Sequence, residues 1–94
     1  MFEVFATTPE TMGPGEIGAH AARAEAMGFD TLWTPDELLW RVEGEAPQGM
    51  WDGVSMAGAV AAATSRAKVG TWVLSALHRN PGIIAKTAET LDEI

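Results

Sequence analysis

The stretch from Ala24 to Glu37, Ala-Glu-Ala-Met-Gly-Phe-Asp-Thr-Leu-Trp-Thr-Pro-Asp-Glu, constrains the fold more than any other part of the chain. It reads as the end of a helix, a stop, a short buried strand and a pair of carboxylates. Gly28 stands where a helix needs a residue that tolerates the left-handed conformation. Phe29 to Trp33 is rich in aromatic and β-branched side chains, which suit a pleated, half-buried surface. Thr34-Pro35 ends the strand, because proline has no N–H for a ladder. In parallel α/β folds, ligands and chemistry gather beyond the carboxyl ends of the strands. Asp36 and Glu37 stand there.

The rest of the chain repeats this alternation. Phe2 to Thr7 is a short apolar run, consistent with a buried strand, and Thr8 to Gly15 carries the proline and glycine of a turn. A helix is expected from about Glu16 to Met27, with Ile17, Ala21, Ala24 and Met27 on one face. Leu38 to Met50 is irregular and reads as a long surface loop, a feature often functional in small domains. Asp52 is placed to cap a second helix over Gly53–Thr64. Its small side chains allow close packing on a sheet. Lys68 to Leu74 is the third expected strand, and Ser75 to Arg79 the loop leaving its carboxyl end. Asn80-Pro81 opens the last helix, an N-cap followed by proline at the first helical position.

The order β-α-β-α-β-α, without an Asn-Gly hairpin signal, implies parallel strands joined by crossovers. Strand starts fall about 28 and about 38 residues apart, close to the repeat of an eightfold barrel. Three such units do not close a barrel, so the expected fold is α/β, the front part of a larger domain. Ninety-four residues allow one small domain at most.

Charge and composition remove several function classes. A net charge of −7, with only six Lys and Arg that form no patch in sequence, argues against a nucleic-acid partner. The absence of cysteine excludes disulfide frameworks and thiolate metal sites. No apolar run approaches a membrane span, and the start lacks a basic-then-apolar leader, so a cytoplasmic protein is expected.

The dinucleotide-binding, P-loop, nucleophile-elbow and zinc-protease motifs are all missing. His20 falls on a polar helix face and reads as solvated. Asp36 and Glu37 are the candidates for orienting a ligand, or for exchanging protons where partial burial raises a carboxyl pKa. Ser75, His78 and Arg79 follow the third strand, a set suited to a polar, anionic cofactor. Asn80 reads as a cap alone. Of the four tryptophans, Trp40 and Trp72 are assigned to a pocket, Trp33 and Trp51 to the core.

Taken together, Ala24-Glu-Ala-Met-Gly-Phe-Asp-Thr-Leu-Trp33, Ala61-Ala-Ala-Thr-Ser-Arg66, Val69-Gly-Thr71, Arg79-Asn-Pro81 and Ala85-Lys-Thr-Ala-Glu-Thr-Leu-Asp92 resemble the luciferase-like monooxygenase superfamily. The resemblance covers about residues 2 to 94 and matches the amino-terminal part of that family. It implies a partial TIM (β/α)8 barrel over residues 1–94, the first three βα units with parallel strands, apparently truncated. It also implies reduced FMN or the deazaflavin coenzyme F420 at the carboxyl ends of the strands. Members are two-component monooxygenases or deazaflavin-dependent oxidoreductases, and the Gly-Thr and Arg-Asn-Pro surroundings lean to the second. In that branch a bulge in the third strand, often with a non-proline cis peptide, supports the ring. It maps onto Trp72 and Val73, with Ser75 as a further ring contact. Asp36 carries over as a cofactor-orienting residue. That branch frequently has Asp-His after its second strand, whereas Asp36-Glu37 puts an acid at the imidazole position and makes Glu37 the catalytic candidate. The implied partners are a small-molecule substrate, further copies of the chain and, for an FMN user, a flavin reductase.

Two other readings compete. One is a non-catalytic truncated half-barrel that covers its edges by self-association. The other is a CheY-like or flavodoxin-like domain, which lacks its acidic cluster because Thr7-Thr8 follow the first strand.

Overall fold

A computed structural model describes residues 1–4 and 11–94. Phe5–Thr7 of the first expected strand and Thr8–Glu10 of the expected turn lie outside the described residues. Three parallel strands form the sheet: β1 (Phe2–Val4), β2 (Thr31–Thr34) and β5 (Lys68–Thr71), in the order β1-β2-β5. Phe2 pairs with Thr31 and Val4 with Trp33, while Thr31 pairs with Lys68 and Thr34 with Thr71. Helices α1 (Pro14–Ala26) and α2 (Gly53–Ala63) lie between successive sheet strands in the chain, as a parallel arrangement requires.

Local chemistry sets the helix ends. α1 starts at Pro14, and the Gly13 N–H donates to Glu16 Oε2 at 2.8 Å. It ends where Gly28, at φ +95°, takes the left-handed conformation. There the Phe29 N–H reaches Ala24 O and the Gly28 N–H reaches Glu25 O, the paired bonds of a Schellman stop. Asp52 caps α2 by accepting from the Ser55 N–H at 2.8 Å, and Asn80 caps α3 (Pro81–Asp92) by accepting from Gly82.

α1 buries Ile17, Ala21 and Ala24, a stripe at helical spacing, against α2 and the sheet. These meet Leu32 of β2 and Met56 and Val60 of α2, with Phe29, Trp51 and Val69 packed around them. The alanines let the two helices approach closely. α3 buries no residue fully. A groove of about 380 Å³ separates it from α2 and β5, with Ala61, Val69, Ile84 and Leu91 in its walls.

The structure changes three expectations. Met27, expected on the apolar face of the first helix, is 73% exposed at its C-cap. The stretch from Leu38 to Met50 is not loop throughout, because Leu39–Trp40 (β3) pairs antiparallel with Gln48–Gly49 (β4). Its turn is not of the Asn-Gly type: Gly44 supplies a positive φ of 84° between Val42 and Glu45, so a motif for tight turns does not detect it. The third sheet strand ends at Thr71 rather than Leu74. The Trp72 N–H makes the last bond of the ladder, to Thr34 O at 2.8 Å. Among the described residues, no helix is long and apolar enough to cross a membrane.

Candidate active site at the strand ends

The end of β2 carries the chain directly into the site. Thr34 is fully buried, and its hydroxyl donates to Gly53 O at 2.8 Å, fastening the strand to the first turn of α2. Two residues later Asp36 is 7% exposed, so its charge needs partners. Arg79 provides them as a fork: Nη2 donates to Oδ1 at 2.7 Å and Nη1 to Oδ2. The Ser75 N–H also donates to Oδ2, at 2.8 Å. Arg79 Nη2 further bridges to Asp52 Oδ1 at 2.6 Å.

This network fixes the charge states. Burial opposes ionisation of Asp36, but the Arg79 fork and the Ser75 N–H outweigh it and hold its pKa below the usual carboxylate value. Burial likewise acts against Asp52, and the Ser55 bonds and Arg79 again leave its pKa lowered. The bond to Asp36 raises the Arg79 pKa further. The expectation that partial burial lifts an acid towards proton exchange therefore fails for Asp36. It is a fixed anion.

Beside this network an open cleft of about 490 Å³ lies at the carboxyl ends of β2 and β5. Asp36 and Ser75 line it as the more buried groups, and Leu38, Leu39 and Val73 give it apolar surface. Glu37, Arg41 and His78 complete the lining with charged or titratable groups. The Ser75 hydroxyl and the Glu37 carboxylate have no hydrogen-bond partner among the described residues. The peptide between Trp72 and Val73 is cis.

The structure thus brings Asp36, Glu37, Val73 and Ser75 to one cleft, with His78 beside them. Arg79 does not line it. Its guanidinium is turned to Asp36 and Asp52, correcting the reading of Arg79 as a holder of an anionic cofactor. Trp40 and Trp72 are both about half exposed and stand outside the cleft lining. Trp72 packs edge-to-face on Trp33, with ring centroids 5.8 Å apart. Trp51 packs on the core, and its indole N–H donates to Met12 O. His20 is half-buried rather than fully solvated.

The profile of the luciferase-like monooxygenase family matches residues 1–94, the whole chain. The chain belongs to this family. Among curated relatives, it is 38% identical over 90 residues to an "F420-dependent glucose-6-phosphate dehydrogenase" of Amycolatopsis mediterranei, covering 93% of this chain and 26% of the relative. Proteins of the same name from Nakamurella multipartita and Kribbella flavida are 38% and 34% identical over 91 and 90 residues. Those matches cover 93% of this chain in each case, and 25% and 26% of the relatives. The chain therefore spans about a quarter of the length of these relatives. No solved structure matches it significantly.

In this luciferase-like chain the opposite strand ends are held by a residue that the sequence reading passed over. The Glu25 carboxylate accepts from the N–H groups of Ser65, Arg66 and Ala67, at 3.1, 2.6 and 2.7 Å for Oε1. Arg66 Nη2 returns a bond to Glu25 O at 2.6 Å. These bonds to Ala67, then Arg66 and Ser65, hold the Glu25 pKa below its ordinary value against a smaller opposing effect of desolvation. Two of the segments that carry the family resemblance, around Glu25 and around Ser65-Arg66, are thus the two sides of one contact. Asp52 was also missed as a site residue, being read only as a cap. Its signal was an acid just before a helix that starts near the end of a parallel strand. Among the described residues, no group of three or more His, Asp or Glu is placed to hold a metal ion.

Proposed function

We propose that this chain forms the first three βα units of a (β/α)8 barrel in an oxidoreductase that uses the deazaflavin coenzyme F420. The observation that carries the reading is the cleft itself. It gathers Asp36, Glu37, Val73 and Ser75 at the carboxyl ends of adjacent parallel strands, where barrel enzymes hold their ligands. The names of the relatives support F420, and their sugar-phosphate substrate is the first to test.

The residues present fit a flat ring. Leu38, Leu39 and Val73 offer apolar surface, the unpartnered Ser75 hydroxyl offers a donor and acceptor, and the cleft volume suits a small-molecule site. Bound F420 supplies hydride-transfer chemistry, which the chain itself lacks. Asp36, ionised and fully bonded, keeps the Ser75 turn in place. Val73 and the two leucines exclude water from one side. Glu37, which has no bonding partner among the described residues, exchanges the proton that accompanies oxidation or reduction of the substrate. A homo-oligomer belongs to the same reading. The family's name favours one alternative, a monooxygenase; the resemblance would give it FMN, supplied by a flavin reductase.

Titration of the full-length protein with F420 and with FMN, followed by tryptophan fluorescence, separates these readings. Tighter binding of F420 is the expected result. Preference for FMN would move the assignment to the monooxygenase branch. Binding of neither would return the chain to a non-catalytic, self-associating α/β unit.

A further inference from the structure

Ser75 is gripped on both sides of its backbone. Its N–H donates to Asp36 Oδ2 at 2.8 Å, and its carbonyl accepts from Arg79 Nη1 at 3.3 Å. The Arg79 side chain is only 17% exposed, and both terminal nitrogens are engaged: Nη1 with Asp36 and Ser75, Nη2 with Asp36 and Asp52. Three segments converge on this one guanidinium: the exit of β2, the cap of α2 and the turn before α3. What remains unbonded at Ser75 is its hydroxyl.

We infer that Arg79 is a positioning residue: through Asp36 and the Ser75 backbone it fixes where the Ser75 hydroxyl and Val73 stand in the cleft, without itself touching a ligand. A planar fork is needed for this. It spans both oxygens of Asp36 and still reaches Asp52, whereas a lysine ammonium would serve as a point charge and leave bonds unmade. Asp52 is the outer arm, with its side chain 52% exposed, and holds the fork from the α2 side. The effect on ligand binding rests on the cleft being the cofactor site. The effect on Ser75 does not.

The test uses the full-length protein and its Arg79→Lys and Asp52→Asn variants, read in two ways. Amide exchange at Ser75 in cofactor-free protein reports the grip, with the Leu32 amide as a control for global opening. In Arg79→Lys, Ser75 exchange is expected to rise about tenfold while Leu32 exchange is unchanged. F420 affinity is expected to fall about tenfold. Asp52→Asn should shift both in the same direction by less. Ser75 exchange and affinity within about twofold of wild type in Arg79→Lys would overturn the inference. Should Arg79→Lys fail to fold, the Asp52→Asn comparison decides, and no change at Ser75 there also overturns it. Wild-type protein that binds neither F420 nor FMN would sink the functional reading, while Ser75 exchange would still decide the role of Arg79.

Discussion

Gly53 and Asp36 meet with no space for a side chain between them. A Cβ on Gly53 would stand 2.8 Å from the Asp36 Cβ and 2.9 Å from its Cα, and would also run into the Pro35 carbonyl oxygen. This contact presses the first turn of α2 onto the exit of β2. It brings the Thr34 hydroxyl to Gly53 O, and it brings Asp52, one residue earlier, to the guanidinium that holds Asp36. The absence of one Cβ therefore places both acids of the network.

Gly53→Ala is expected to destabilise the protein by about 1–3 kcal/mol, the usual cost of forcing extra atoms into a packed site. The clash is with backbone and with the base of a side chain, so no flexible tip can yield. Urea unfolding checks this. A midpoint equal to wild type would show that the two segments can part freely.

Gly70 makes a similar case against a ring. A Cβ there would lie 2.6 Å from Trp33 Cζ3 and 2.9 Å from Cε3. Gly70→Ala should displace the Trp33 indole and break its edge-to-face contact with Trp72, a kind of contact worth about 0.5–1.5 kcal/mol. The expected outcome is a changed near-ultraviolet circular dichroism signal with far-ultraviolet signal retained. An unchanged tryptophan signal would contradict the packing described.

Glu25 gives a pH-dependent prediction at the opposite strand ends. Its folded pKa is lowered from 4.5 because the N–H groups of Ala67, Arg66 and Ser65 favour the ionised form. A depressed carboxyl pKa contributes stability that is full above the unfolded value and is lost as pH falls through the folded one. Glu25→Gln should therefore lower the urea midpoint near neutral pH, and the gap to wild type should narrow below pH 4.5. A gap that stays constant into acid would assign the effect to packing rather than charge.

The features legible in the sequence are those decided by neighbours in the chain. The Gly28 stop, the Asp52 cap and the Asn80-Pro81 start each depend on a few adjacent residues, and each is formed as expected. The placing of Asp36, Glu37 and Ser75 at one cleft was legible too, because parallel alternation alone puts loops after β2 and β5 on the same side. Val73 was assigned only through the family resemblance, and Trp72, assigned with it, stands outside the lining. What was hidden depends on distance along the chain. Arg79 meets Asp36 43 residues away, and Glu25 meets Ala67 42 residues away. Charge type gave no sign of which partner each would find. Arg79 was accordingly read as facing a ligand when its guanidinium is bonded to Asp36 and Asp52 of the same chain. The β3–β4 pair was hidden for another reason: two-residue strands with exposed side chains leave no apolar alternation to detect.

Glu37 is the sharpest test of the proposed chemistry. It follows directly on Asp36 yet differs from it in burial and in bonding. Asp36 is buried, bonded at both oxygens and held ionised, whereas Glu37 is exposed in the cleft with no partner among the described residues. In the proposed reading the two adjacent acids divide the work, Asp36 as the fixed anchor and Glu37 as the proton carrier. Glu37→Gln keeps the shape and removes the titration. In the full-length protein it should lower kcat by about 10²–10⁴-fold, the range for loss of a general acid or base. F420 affinity should change little, because Ser75, Val73 and the Asp36 anchor remain. Glu37→His should recover part of the rate, since an imidazole can move the same proton, with the pH optimum moved towards neutrality. Wild-type kcat in Glu37→Gln would remove Glu37 from the reaction. A loss of F420 affinity equal to the loss of rate would make it a binding group instead.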